Sequence, residues 1–309
     1  MSMKIDSSRR RLWSHVPFCE EHITVPLTPA QRAAFKTGLI PDDDHPELAK
    51  IFECPRVVCI SGAQVAGVCP GVYFRDGRLL DLGLGWSQGY KSLKTNIIQK
   101  GGSVKNVTIG GKPEKIMGQY LCLNALYGRE FYHAIFDVAY QIFNFETICG
   151  ASLGSLDGVV VPYGFSARAY GRDIIRTLLP ESIRVVEAPG RESSAVLEFD
   201  DLIVFSWSRA RLKEFRAYML ERFDIPACEN PRLMTFCTRG KMSTNSNARV
   251  LLQNEQVISA FRDGGFEIVD LADMSLREQF AYISNNKVLA GVHGAALSHQ
   301  LFLGKNGAV

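Results

Sequence analysis

The sequence predicts an α/β protein built on parallel sheets, and three stretches of the chain predict it. Glu130 to Phe145 is a long helix whose apolar residues include Phe131, Ile135, Val138, Ile142 and Phe143. After it, Gly158 to Val161 reads as a short buried strand, Ala167 to Leu179 as a helix and Ile183 to Val186 as a second strand, which together make a βαβ unit. The last stretch repeats the alternation: a strand at Leu233 to Cys237, a helix at Asn254 to Asp263 closed by Gly264-Gly265, and a strand at Phe266 to Val269. A helix at Ser275 to Asn285, a strand at Lys287 to Val292 and another helix from Gly294 onward complete a Rossmann-like half.

The remaining elements fall into place around these. Residues 1–50 carry Pro17, Pro26, Pro29, Pro41 and Pro46 with little periodicity and read as an irregular arm. Within it, Asp42-Asp43-Asp44 is a Pro-flanked charge run, read as a solvated loop rather than a metal site. From Arg56 the pattern is β: Val57 to Ser61 is an apolar run, and Gly71 to Phe74 meets Arg78 to Leu80 across Asp76-Gly77, a strong hairpin signal. Leu212, Phe215, Met219 and Phe223 give Arg209 to Phe223 a helical stripe, and Pro226 to Pro231 makes a linker. The expected organisation is therefore an arm (1–50), a first α/β domain (51–230) and a second, Rossmann-like domain (231–309).

Composition narrows the function classes. A chain of 309 residues supports about two cores, and 46% hydrophobic with 22% charged residues argues against extensive disorder. The net charge of +3 is too mild for a nucleic-acid surface, and Arg9-Arg10-Arg11 is the only compact basic run, read as a solvated arm. No apolar stretch approaches the ~20 residues of a membrane helix, and no signal-peptide pattern opens the chain. The eight cysteines are scattered without a Cys-x-x-Cys pair, so they read as buried thiols suited to a reducing cytoplasm. The sequon Asn106-Val107-Thr108 matters only in a secretory lumen and is discounted.

Chemistry concentrates in two places. Val288 to Leu297 is an apolar strand that ends in a tight turn of small residues opening a helix, around His293, Gly294 and Ala295. Backbone can approach a phosphate there, and helix-end N–H groups favour an anion; the alternative is that its glycines serve packing alone. Arg239 follows the Leu233 to Cys237 strand, and Arg249 lies on the same loop, so two guanidinium groups could neutralise a diphosphate without a metal. Asn254-Glu255 and Glu278-Gln279 open two helices at that edge. Asn254 is also a good N-cap, and Ser275 with Glu278 spells a capping box, the favoured reading for Glu278. In the first domain, His133, Asp137 and Gln141 share one face of an otherwise apolar helix. Such a stripe is expensive to bury unless paired or facing a wet cleft, so a packing His-Asp bond and a catalytic pair both remain open.

Taken in order, Tyr132 to Asp137, Arg239, Asn254-Glu255, Glu278-Gln279 and His293-Gly294-Ala295 resemble the pattern of glycosyltransferase family 61. The stretch from Val57 to Asp81 is similar too, so the likeness covers most of the chain beyond residue 50. The resemblance implies a GT-B fold, two Rossmann-like domains facing across a cleft, and an inverting, metal-independent transfer needing no cofactor beyond the donor. It implies a uridine-diphosphate sugar held by the second domain, with Arg239, Asn254, Glu255, Glu278, Gln279, His293, Gly294 and Ala295 on the matching motifs; Arg249 joins them by its place on the loop after the strand. A glycan or protein-linked glycan acceptor would be held by the first domain, with His133 and Asp137 as the catalytic pair. Two departures stand out: the family's His-Gly-Ala-Gly-Leu-Thr-Asn is here His293-Gly294-Ala295-Ala296-Leu297-Ser298-His299, and another strand and helices are expected beyond Val309. The competing readings are a non-catalytic nucleotide- or sugar-binding protein on the same fold, and a hydrolase using His133 and Asp137.

Overall fold

The computed structural model describes residues 23–24, 57–66, 72–73, 97–100, 103–107, 112–125, 127–190, 193–205, 211–226, 228–238, 254–292, 294–305 and 307–309. They form an α/β structure that divides into two compact units, residues 1–171 with 178–211 and residues 172–177 with 212–309.

The first unit holds a seven-stranded mixed sheet. Strands β1 (Ile23–Thr24), β2 (Val57–Ala66) and β3 (Val72–Tyr73) form its antiparallel side, with β1 and β3 both paired to β2. The two strands β4 (Ile97–Lys100) and β5 (Ser103–Val107) make a separate antiparallel pair. The parallel side comprises β6 (Glu114–Cys122), β7 (Gly158–Val161), β8 (Arg184–Glu187) and β9 (Val196–Phe205), in the order β9-β6-β7-β8, with β9 antiparallel to β2. Helix α1, running from Phe131–His133 through a π-helical segment Ala134–Ala139 into Tyr140–Ile148, connects β6 to β7. Helix α2 (Ala169–Leu178) connects β7 to β8. The predicted strand at Gly158 to Val161 forms with all four residues buried, as a parallel strand covered on both faces requires. The Asp76-Gly77 turn, the Asp42 to Asp44 run and the sequon threonine Thr108 lie outside the described residues.

Strands β6 and β9 escape the sequence reading, and the reason is a row of carboxylates. Gly118, at φ +100°, interrupts β6, and its register with β9 shifts between Ile116 and Gln119. Asp200 accepts from the Gly118 N–H at 3.1 Å, Asp157 from the Gln119 N–H at 2.7 Å, and Asp201 from the Ser61 hydroxyl at 2.6 Å. Asp200, and Asp157 from the turn just before β7, thus satisfy the two N–H groups at the irregularity, while Asp200 and Asp201 in mid-strand hide the apolar pattern of β9. On either side of them, Tyr120, Phe199, Leu202 and Val204 pack into one buried cluster with Ile60 and Val65.

The second unit contains helix α3 (Leu212–Arg222) and a three-stranded parallel sheet of β10 (Leu233–Cys237), β11 (Glu267–Val269) and β12 (Asn286–Gly291), ordered β11-β10-β12. Helices α4 (Asn254–Asp263) and α5 (Leu276–Ser284) make the crossovers. The final helix forms where expected, over Ala295–Phe302 after Gly294, and it is 3-10. The Leu297 N–H bonds to the Gly294 carbonyl three residues back, and the His299 ring meets the Ala296 carbonyl across the same spacing. Ala308 makes a parallel bridge to Val288 beside β12. Of the cysteines described, Cys59, Cys122 and Cys237 are buried, and burial pushes each thiol up to about 12. Cys149 and Cys228 are only half-buried, contrary to the uniform burial expected of them.

Candidate functional site

The order of the first sheet reverses at β6, because β7 and β8 follow on one side of it and β9 returns on the other. In open α/β sheets the carboxyl ends of the strands at such a reversal are where ligands bind. The chain leaves β6 through Leu123 and Asn124, and after a turn at Tyr127 to Glu130 it enters α1. Glu130 has extended geometry and gives no side-chain cap, but its carbonyl accepts from the Ala134 N–H at 2.8 Å.

His133 and Asp137 meet on this helix. His133 Nδ1 lies 2.5 Å from Asp137 Oδ2, with the two side chains 30% and 14% exposed, so the pair is partly sheltered yet reachable by solvent. The segment carrying Asp137 is π-helical, and the Tyr140 N–H bonds back to the Ile135 carbonyl five residues earlier. A wide turn of this kind gives up regular hydrogen bonding and is found frequently at functional sites. Apolar neighbours fix it in place: Ala134, Ile135, Val138 and Ala139 are all fully buried. The His133 ring is flanked by Tyr132 at 5.1 Å and Tyr127 at 5.5 Å between centroids. Gln141, the third residue of the expected stripe, is buried and accepts from Asn144 Nδ2 at 3.4 Å instead of continuing an open row.

One residue at this edge was not visible in the sequence. Asn124, at the end of β6, is 5% exposed and its Nδ2 finds no hydrogen-bond partner in the protein. A buried donor left unsatisfied is costly, and in native proteins such groups call for a water, an ion or a ligand.

In the second unit the sheet order reverses at β10, with Cys237 in register with Gly291 at the paired strand ends of β10 and β12. Arg239, Arg249 and His293, the residues expected just beyond these ends, lie outside the described residues, as does the side chain of Asn254, where α4 begins. Gly294 is extended and precedes Ala295 at the start of the 3-10 helix. Glu255 is exposed in the first turn of α4. An apolar cavity of about 430 Å³, lined in part by Phe236, Phe261, Leu289 and Leu297, lies beside β12.

The Glu278-Gln279 pair is engaged in the fold. Glu278 accepts from both the Ser275 N–H and the Ser275 hydroxyl at 2.7 Å, completing the capping box expected from sequence. Those hydrogen bonds hold its carboxyl below the usual range. Gln279 is buried; its Nε2 donates to the Met274 carbonyl at 2.9 Å and its Oε1 lies 2.8 Å from His299 Nε2. Burial lowers the His299 imidazole to about 4.

Both units carry parts of one family signature. The family model described as Glycosyltransferase 61 matches residues 131–309, more than half of the chain, beginning at the first residue of α1. The chain belongs to the glycosyltransferase 61 family. Its activity is therefore that of a glycosyltransferase, with a sugar donor and an acceptor as substrates, and the His133–Asp137 pair lies within the matched region. No curated protein matches the chain.

Proposed function

We propose that this glycosyltransferase is an inverting, metal-independent enzyme of GT-B arrangement that moves a sugar from a uridine-diphosphate sugar to a glycan hydroxyl. The observation that carries the reading is the His133–Asp137 contact of 2.5 Å at the carboxyl edge of a parallel sheet. With Nδ1–H donated to the Asp137 carboxylate, His133 Nε2 keeps its lone pair and can take the acceptor proton, while the carboxylate fixes the tautomer and stabilises the imidazolium. As that proton leaves, the acceptor oxygen bonds to the anomeric carbon, the bond from that carbon to the diphosphate oxygen breaks, and its electron pair departs with the nucleotide.

Donor binding falls to the second unit. Its sheet reverses order between β10 and β12, and the apolar cavity beside β12 suits the flat face of a pyrimidine. Arg239 and Arg249 follow β10 in sequence, and His293-Gly294-Ala295 follow β12. In this reading the guanidinium groups and the turn's N–H groups neutralise the leaving diphosphate in place of a metal. The buried thiols suit a reducing cytoplasm. The test is transfer from a panel of nucleotide sugars, followed by mass spectrometry in excess chelator. Activity restored only by manganese would overturn metal independence, and stabilisation by uridine diphosphate without turnover would favour a binding protein. Arg239→Ala should weaken uridine diphosphate binding by about 1.5–3 kcal/mol, and unchanged affinity would remove Arg239 from the site.

A further inference from the structure

Among the described residues, three aromatic side chains remain exposed: Tyr127, Tyr132 and Tyr163. Single exposed apolar residues need no explanation, but these gather where β6 and β7 end, the edge that carries His133. Tyr127 and Tyr132 flank the His133 ring. Tyr163 joins them through packing, because Gly128, next to Tyr127, lies so close to Pro162 that a Cβ on it would fall 2.4 Å from the proline Cγ.

Tyr163 is the most exposed of the three, at 56%, yet its ring is held in place. A Cβ on Gly190, in the loop after β8, would stand 3.1 to 3.2 Å from ring atoms Cζ, Cε1 and Cε2 together. Near-equal distances to three ring carbons mean that the Gly190 backbone lies against the face of the ring, so close that a side chain there would have to push the ring aside by a few tenths of an ångström. The loop that carries Tyr163 is braced as well. The Glu187 carboxylate accepts from the Gly164 N–H at 3.1 Å and the Ser166 N–H at 3.0 Å, the Phe165 N–H bonds to the Pro162 carbonyl at 3.0 Å, and Pro162 and Phe165 are buried on either side. Gly164 takes φ +70°, a conformation that a side chain would strain. The result is one aromatic ring with its back on glycine backbone and its front in solvent.

We propose that Tyr163 is a stacking platform for a pyranose ring of the acceptor, so that the acceptor is an oligosaccharide and not a bare peptide or small alcohol. This rests on the glycosyltransferase reading of the His133 edge. A pyranose presents a patch of C–H groups on one face and hydroxyls around its rim, and a rigid tyrosine offers the matching apolar face with little side-chain entropy to lose. A sugar seated there while a neighbouring ring presents its hydroxyl to His133 would make the enzyme read more than one residue of the acceptor.

The experiment titrates cellohexaose, xylohexaose, mannohexaose and chitohexaose into the full chain by calorimetry, with saturation-transfer NMR to identify contacting sugar protons. The expected result is that at least one hexasaccharide binds, that Tyr163→Ala weakens it about tenfold, and that Tyr163→Phe stays within about twofold because the ring and not its hydroxyl makes the stack. Gly190→Ala should weaken it too, by displacing the ring. The proposal is overturned if wild type binds none of the four, if Tyr163→Ala keeps wild-type affinity, if Tyr163→Phe loses as much as Tyr163→Ala, or if an unglycosylated Ser/Thr peptide binds with the same dependence on the ring. Uridine diphosphate affinity, measured alongside, separates the two readings. Ring-dependent hexasaccharide binding in a protein that ignores uridine diphosphate would sink the donor assignment and leave the platform standing.

Discussion

Strand β6 in the first unit and strand β10 in the second are each the point where their sheet's order reverses, and each is followed by chain that the sequence marks as chemically interesting. The two edges use their polar side chains differently. On the first, His133 and Asp137 are partly exposed and bonded to each other, Asn124 Nδ2 is buried without a protein partner, and three tyrosine rings face solvent. On the second, Glu278 closes a helix cap and Gln279 is spent between a backbone carbonyl and a buried histidine. A polar residue near a sheet edge is thus no sign of a site by itself. What separates the two cases is whether hydrogen-bonding capacity is left over once the fold is satisfied.

The largest expected effect tests the first edge. Asp137→Asn keeps the shape of the side chain but removes the charge that stabilises an imidazolium, and it should cut turnover by about 10²-fold or more, the usual scale for losing general base catalysis. Uridine diphosphate affinity should hold. If affinity and activity fall together with the melting temperature, the pair is a packing device and the contrast between the edges disappears.

Next in size is an acid sensitivity lodged in the second unit. The folded state holds His299 near pKa 4 by burial, against an ordinary value of about 6.5, so the folded protein binds fewer protons than the unfolded chain between those values. Its contribution is complete above pH 6.5, falls as pH drops through the window, and is gone below about pH 4, a loss of up to about 3 kcal/mol. Urea unfolding at stepped pH should show this slope in wild type and a flatter one in His299→Leu. The slope is what decides, since the variant changes absolute stability as well.

These cases show what the sequence could reveal. Strand β7 and strand β10 were legible because parallel strands covered on both faces leave apolar runs, unbroken at Gly158 to Val161 and broken only by Thr235 at Leu233 to Cys237. Strand β9 was not, since Asp200 and Asp201 stand in its middle, the first bonded to the irregularity in β6 and the second to Ser61 of β2. His133 and Asp137 were legible because four residues on a helix bring side chains together locally. The Gln279–His299 bond, the Tyr163–Gly190 contact and the stranded Asn124 amide are products of tertiary packing, and no local spacing announces them.

Gln279 sharpens the contrast from the other side. Gln279→Leu removes the partner of a buried histidine nitrogen and of the Met274 carbonyl, so it should lower stability by about 1–3 kcal/mol, measured by urea unfolding at pH 7. Uridine diphosphate affinity, extrapolated to fully folded protein, should change little. Lost affinity at undiminished stability would return this side chain to the nucleotide and erase the difference between the two edges.

The smallest effect is at the start of α5, where Ser275 and Glu278 exchange hydrogen bonds. The Ser275 hydroxyl accepts from the Glu278 N–H at 3.3 Å and donates to the Glu278 carboxylate at 2.7 Å, which in turn accepts from the Ser275 N–H. Ser275→Ala removes the hydroxyl from both exchanges, and loss of an N-cap of this type costs about 1 kcal/mol. The accompanying pH signature has the opposite origin to that of His299. Here the folded state favours a charged carboxylate, so the stabilisation is present above the ordinary carboxylate range and fades as pH falls through the lowered value. Ser275→Ala should therefore melt slightly below wild type at pH 7 and approach it in acid, with sugar transfer unchanged at a temperature where both are folded. A transfer defect in a fully folded Ser275→Ala protein would mean that Glu278 serves the donor as well as the cap.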